Sequence, residues 1–196
     1  MINRYKEYLS ALDKKLETMF KKQAPFIKCK KGCVHCCSDG EYPMSELEFI
    51  NIMLEYMKLD AEKRSKVDKN IKELLNKDNP YSYTCPFLLN GECSVYPARA
   101  LICRAFGLIT FFKNERKKIP FCVSMGLNYS DVYCEQTSEI EENAPDGTEA
   151  KAYNVDRRTL RCKDIEESFD IFFGEDKNLY DWLKENFGKE CPILWS

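Results

Sequence analysis

The sequence predicts a mainly α-helical fold with a small β-hairpin or sheet, an α+β class. Three observations predict it: a long amphipathic stripe at the start, two further helical stretches with capping signals, and one tight-hairpin dipeptide. With 44% apolar and 13% aromatic content, the 196 residues can bury a core of their own.

Ile2, Tyr5, Leu9, Leu12, Leu16 and Met19 recur at spacings of three and four, which places them on one side of a helix with lysines opposite. The stripe is too short for a coiled-coil seam, so it covers a core. Pro25 ends this helix, and the segment Cys29 to Cys37 follows as a loop in which Gly32 supplies backbone freedom. Ser45 and Glu48 form a capping-box signature for a buried helix that turns Phe49, Ile50, Met53, Leu54 and Met57 inward. Asp60 caps the next helix, whose apolar face is Val67, Ile71, Leu74 and Leu75, until Asn79 and Pro80 stop it.

Phe87-Leu88-Leu89 and Cys93-Ser94-Val95 flank Asn90-Gly91, which predicts a short hairpin that brings Cys85 and Cys93 close. Pro97 suits the first turn of a helix carrying Arg99, Cys103 and Arg104. Gly107 then breaks into a strand, Leu108 to Phe112, with Cys122 just beyond its return. Glu135 to Asp146 is acidic and turn-rich and reads as a loop or linker, followed by helices at Asp164 to Phe173 and Leu179 to Phe187. The expected division is 1–134 as a cysteine-cluster domain with its core motif at 29–122, and 135–196 as an acidic linker and helical C-terminal extension. That extension is expected to pack over or beside the cysteine segments; its aromatics Tyr180, Trp182 and Trp195 suggest no chemistry.

Thirty Lys and Arg against 32 Asp and Glu leave a formal charge of −2, which points to neither nucleic acid nor an anionic membrane. The start has charges at Arg4, Lys6 and Glu7 and no apolar leader, and no apolar run is long enough to span a bilayer, so a cytoplasmic location is expected. In a reducing compartment, eleven cysteines signal metal binding or redox chemistry rather than a disulfide scaffold.

Eight of them are candidate ligands: Cys29-x3-Cys33-x2-Cys36-Cys37 in one segment, then Cys85, Cys93, Cys103 and Cys122. Thiolates are soft ligands that suit zinc and iron. The side chains of neighbouring Cys36 and Cys37 are expected to diverge, which would leave one for a second site or for chemistry. Four thiolates around zinc or an oxidised four-iron cubane carry a net charge of about −2, and Lys28, Lys30, Lys31, Arg99 and Arg104 are close enough in sequence to balance it. His35, the single histidine, is expected beside the ligands or exposed rather than on the metal. Nucleophile-elbow, phosphate-loop and His-Glu-x2-His motifs are all missing, which leaves ordinary hydrolysis without support.

Cys29, Cys33, Cys36 and Cys37, followed by Cys85-Pro86-Phe87-Leu88, Cys93, Tyr96, Arg99, Cys103, Arg104, Phe106 and Gly107, resemble the zinc- or iron-chelating cysteine-cluster family of the YkgJ type. The likeness runs from Cys29 to about Cys122; Ala100 stands where that family usually shows proline, and Cys134, Cys162 and Cys191 fall outside it and are expected to be thiols without a role. The resemblance implies a metal ion or cluster as partner and an iron-sulfur oxidoreductase as the activity. A more distant likeness, to flagellin lysine methylases, implies methyl transfer from S-adenosylmethionine. Cys29, Cys33 and Cys36 also match the spacing of radical S-adenosylmethionine enzymes, but flanking helices in a short chain exclude their βα barrel. An iron-sulfur cluster is preferred to Zn2+ because Cys36 and Cys37 leave a spare thiolate. The alternative is a non-catalytic zinc-stabilised structural or interaction module.

Overall fold

A computed structural model describes residues 1–30, 32–78, 80, 82–111, 116–140, 143–144 and 146–188. Its helices are α1 (Ile2–Lys22), α2 (His35–Ser38), α3 (Glu46–Tyr56), α4 (Ala61–Leu75), α5 (Leu101–Ala105), α6 (Lys163–Phe169) and α7 (Leu179–Phe187). The strands are β1 (Pro43–Ser45), β2 (Leu88–Leu89), β3 (Glu92–Cys93), β4 (Ile109–Phe111), β5 (Lys117–Lys118), β6 (Tyr133–Cys134), β7 (Glu139–Ile140), β8 (Ala152–Tyr153) and β9 (Asp176–Asn178). The class is the expected one, helices with small sheets of two or three strands. Phe112, expected to end a strand, and Trp195 lie outside the described residues. Among the described residues no helix is long and apolar enough to cross a membrane.

The chain packs as two units, Met1–Lys31 with Cys103–Ile171, and Gly32–Ile102 with Phe172–Ser196. In the first, α1 buries Tyr5, Tyr8, Leu9, Leu12 and Leu16, and Tyr8 meets Phe169 of α6 edge-on at 5.2 Å. Pro25 sits in a 3-10 turn, Ala24–Phe26, just past the end of α1. Strands β5, β4 and β8 form a sheet in that order, β4 antiparallel to β5 and parallel to β8. Its core is Phe26, Ile109, Val123, Tyr129, Val132, Ala144 and Ala150.

Two expectations need correcting in this unit. The segment read as an acidic loop opens with an antiparallel hairpin, Tyr133 opposite Ile140 and Cys134 opposite Glu139, because two apolar residues suffice to bury one face of so short a ribbon. The helix expected to reach Phe173 ends at Phe169, where Asp170 turns left-handed with φ 47°.

In the second unit Ser45 and Glu48 form the expected capping box at the start of α3. The face that α3 buries is Leu47, Phe49, Ile52, Met53 and Tyr56, whereas Ile50 and Met57 are exposed, 38% and 45%. The reason is phase: Phe49, Ile52, Met53 and Tyr56 share one stripe, and Trp182 of α7 stacks on Phe49 at 5.4 Å to fix which stripe is covered. Strand β1 pairs antiparallel with β9, Pro43 opposite Asn178, and the Trp182 indole N–H donates to the Met44 carbonyl at 3.2 Å. Asp60 caps α4 by accepting from the Lys63 N–H at 2.8 Å, and Val67, Ile71 and Leu74 are buried. The helix stops at Leu75, ahead of Asn79, which lies outside the described residues.

Asn90 and Gly91, φ 51° and 79°, make the tight turn between β2 and β3, with Leu88 opposite Cys93. A Cβ on Gly91 would meet nothing within 4 Å, so Gly91→Ala tests backbone conformation alone. It is expected to lower stability by about 1–2 kcal/mol, the cost of a left-handed alanine, read from the midpoint of denaturant unfolding.

The helix expected from Pro97 is split into a 3-10 turn at Tyr96–Ala98 and, after an extended Arg99, α5. The Leu101 N–H donates to the Glu48 carboxylate at 2.8 Å, an acceptor that an unbroken helix would have no call for.

Burial pushes the phenols of Tyr83 and Tyr129, 3% and 1% exposed, above their ordinary value of 10. The unfolded phenols ionise near pH 10 while the folded ones keep their protons, so this stability is intact below pH 10 and lost as pH rises beyond it. Denaturant unfolding at about pH 9 and pH 11 should show a total loss of about 1.4 kcal/mol for each tyrosine, most of it above pH 10.

Candidate metal centre

In the second unit, α2 carries Cys36 and Cys37, and the chain leaving it lies beside the segment that ends in Cys85. The Cys85 N–H donates to the Cys37 carbonyl at 2.8 Å, and the Thr84 hydroxyl to the Ser38 carbonyl at 2.7 Å. The Ser82 hydroxyl donates to the Asp39 carboxylate, and Gly40 and Tyr83 exchange backbone hydrogen bonds at 3.3 and 3.2 Å. These bonds hold the two cysteine segments side by side. On the far side, the Cys85 carbonyl accepts from the Leu88 N–H at 3.0 Å, Asn70 of α4 donates to the Pro86 carbonyl at 3.0 Å, and the hairpin returns Cys93 opposite Leu88.

The Cys36 and Cys37 sulfurs stand 3.8 Å apart, so the expected divergence does not occur. Their Cα atoms are neighbours, and rotation about the Cα–Cβ bonds is enough to let the sulfurs face each other. The contact with Cys37, then burial, then the Cys37 charge push the Cys36 thiol far up. Burial pushes Cys93 up as well, the Val95 N–H and the Arg99 charge pull it back in part, and Cys36 adds to the rise. Cys36, Cys37 and Cys93 thus form one electrostatic group, in which the Cys36 and Cys93 thiols resist ionising without a cation to offset the charge. Arg99 is placed here by stacking 4.0 Å over the Tyr96 ring and by donating to the Tyr96 carbonyl at 3.1 Å. Cys33 is half-buried ahead of α2, and His35, the first residue of α2, is exposed.

The first unit holds the other three candidates. Cys29 is exposed, with its N–H donating to the Asn128 side-chain oxygen at 3.0 Å; Cys103 is on α5; and Cys122 is buried in the 3-10 helix Phe121–Met125. Cys134 donates to the Gln136 side chain at 3.1 Å, Cys162 precedes α6, and Cys191 lies outside the described residues. All ten described cysteines are thiols rather than disulfides. Among the described residues no three His, Cys, Asp or Glu side chains stand together as a ready ligand set.

Two of the cations expected to balance a metal centre are engaged elsewhere. Arg104 is buried and pairs with Asp13 at 2.6 Å, because a guanidinium cannot be buried without a carboxylate, and Lys28 pairs with Asp131 at 2.6 Å. Lys30 is exposed and Lys31 lies outside the described residues. Asn70 and Asn128, which brace the cysteine segments, belong to no cysteine motif, and nothing in the sequence alone marks them.

The donors are thiols, whose chemistry suits zinc or iron. A tetrahedral ion with metal–sulfur bonds of about 2.3 Å has ligand sulfurs about 3.8 Å apart along each edge, which is the Cys36–Cys37 separation. No curated protein and no solved structure matches the chain, so the likeness to flagellin lysine methylases has no support. A family model does match over residues 28–135, and more than half of the chain therefore places it in the family CxxCxxCC, described as a putative zinc- or iron-chelating domain.

Proposed function

We propose that this protein binds a zinc or mononuclear iron ion through four thiolates of its second unit, as a structural centre. Cys36, Cys37 and Cys85 take three of the four positions, and Cys33 or Cys93 supplies the fourth. The observation that carries this reading is the 3.8 Å separation of Cys36 and Cys37, the edge of a tetrahedral tetrathiolate site. In a four-iron cubane each protein thiolate sits on its own iron, which sets neighbouring ligand sulfurs further apart. The preference for a cluster, which came from a supposed spare thiolate, gives way to an ion that uses both sulfurs. Cys29, Cys103 and Cys122, in the first unit, are assigned from the family spacing as thiolates of a second, separate metal position.

Zinc is the first candidate because a closed tetrathiolate shell contributes folding energy and needs no open coordination position, which makes a structural module a better fit than an oxidoreductase or a methyl-transfer protein. Thiolate ligation requires the cysteines to stay reduced, in keeping with a cytoplasmic setting.

The test is metal and acid-labile sulfide analysis with a visible spectrum on anaerobically purified protein, beside Cys36→Ser, Cys37→Ser and Cys85→Ala. We expect zinc or iron without sulfide, and loss of that metal in all three variants. About four irons with matching sulfide would overturn the reading in favour of an iron-sulfur cluster.

A further inference from the structure

We infer that Asn128 is a positioning residue for the thiolates of the first unit, holding the Cys29 segment in a fixed relation to the segments that carry Cys103 and Cys122. The inference rests on the reading of Cys29 as a ligand. Asn128 is fully buried, 0% exposed, and its side-chain oxygen accepts from the backbone N–H of Lys28 at 2.8 Å and of Cys29 at 3.0 Å. Its amide nitrogen donates to the Gly107 carbonyl at 3.1 Å, four residues past Cys103. The preceding residue, Leu127, donates its N–H to the Cys122 carbonyl at 3.2 Å, and the following one, Tyr129, donates to the Phe26 carbonyl at 2.8 Å. A single buried amide thus touches two of the three cysteine-bearing segments directly and is joined to the third through its neighbour.

The geometry also accounts for glycine at position 107. Its φ is +102°, and a Cβ there would lie 2.6 Å from the Asn128 amide nitrogen. Any larger residue would push the Asn128 side chain off the Gly107 carbonyl and, with it, off the Cys29 loop. A carboxamide suits this place because two backbone donors and one backbone acceptor converge there, and an amide offers both an acceptor oxygen and a donor nitrogen.

The experiment is a cobalt(II) titration of the reduced, metal-free full chain, followed by its thiolate charge-transfer absorption with zinc competition, in Asn128→Ala, Cys29→Ala and the double variant. Amide hydrogen exchange at Lys28 and Cys29 is measured on the same metal-free proteins. We expect Asn128→Ala to speed exchange at both amides and to weaken metal affinity about 10- to 100-fold, the usual effect of losing a partner that orients a ligand. That loss should vanish when Cys29 is already alanine, a coupling that a merely destabilising change would not show. Should Asn128→Ala not fold, Gly107→Ala and Asn128→Asp take its place in the same cycle; the first displaces the amide, and the second keeps the acceptor and should retain protection of the two N–H groups. A weakened Cys29→Ala with an unchanged Asn128→Ala overturns this inference and leaves Cys29 a ligand. Faster exchange in Asn128→Ala with metal affinity unchanged in both single variants overturns the ligand role of Cys29, and the inference with it.

Discussion

Removal of the metal by a strong chelator at neutral pH is expected to abolish the tertiary structure of the second unit. The apparent binding free energy of a structural zinc is about 10–16 kcal/mol, and the stability of a whole domain is about 5–15 kcal/mol, so the ion's share is comparable to the total. The chain leaving α2 is joined to the Cys85 segment by a short run of hydrogen bonds and by the Tyr42 ring, edge-on to Tyr83 at 5.3 Å. Each such bond contributes only about 1 kcal/mol net. Without the ion, the raised thiols of Cys36 and Cys93 keep their protons and the sulfurs have nothing to converge on. Near-ultraviolet circular dichroism should collapse while much of the helical far-ultraviolet signal persists, and added zinc should restore the former. Cys85→Ala should behave like the stripped protein, whereas Cys162→Ala, outside the matched residues 28–135, should not. A native near-ultraviolet spectrum in fully metal-free protein would sink the structural role.

The parts of the fold that are legible in the sequence are those decided within a few residues. Ser45 with Glu48, Asp60 with the Lys63 N–H, and Asn90 with Gly91 each satisfy a backbone group or a left-handed angle locally, so the residue types alone announce them. The parts that are not legible are decided at long range. Strand β1 has three residues, too few for a periodic signal, and exists because Asp176–Asn178 comes back to pair with it. The burial phase of α3 is set by Trp182, far away in sequence, which is why Ile50 and Met57 read as inward as Phe49 and Met53 do. The chain also crosses between its two units after Lys31, before Cys103 and again after Ile171, and no change of composition marks those crossings.

The candidate site divides in the same way. Cysteine spacing is a one-dimensional signal that suffices to single out the thiols, but it carries no information on rotamers, so the facing sulfurs of Cys36 and Cys37 read as divergent. Charge near a cysteine in sequence is likewise no guide to charge near its sulfur. Arg99 does reach Cys93 electrostatically, while Arg104, one residue past Cys103, turns to Asp13. Asparagine carries no periodicity and no ligand chemistry, and the contacts that give Asn128 its role span 99 and 100 residues to Cys29 and Lys28. Such a brace comes into being only when the folded chain brings those segments together.

Glu48→Ala is expected to destabilise the protein by about 3–5 kcal/mol, more than a typical core truncation at a partly collapsible site. Glu48 is 1% exposed, and one carboxylate oxygen accepts from the Ser45 N–H at 2.9 Å and the Ser45 hydroxyl at 2.8 Å. The other accepts from the Leu101 N–H at 2.8 Å at the start of α5. The side chain is therefore both the return half of one capping box and the acceptor that starts a second helix. Removing it leaves the N–H groups of Ser45 and Leu101 buried without that acceptor, at about 1–3 kcal/mol each, and opens a cavity besides. Glu48→Gln keeps the shape and one acceptor oxygen but turns an N–H2 toward one of the two backbone N–H donors, that of Ser45 or that of Leu101. It should fall between, at about 1–2 kcal/mol, because one donor stays satisfied and the other meets a donor in place of an acceptor. Denaturant unfolding of the three proteins at one metal loading separates these cases, since the linkage to bound metal is then held constant. An alanine variant within about 0.5 kcal/mol of the parent, the range of ordinary surface changes, would mean that Glu48 is not the shared acceptor of the two helix starts.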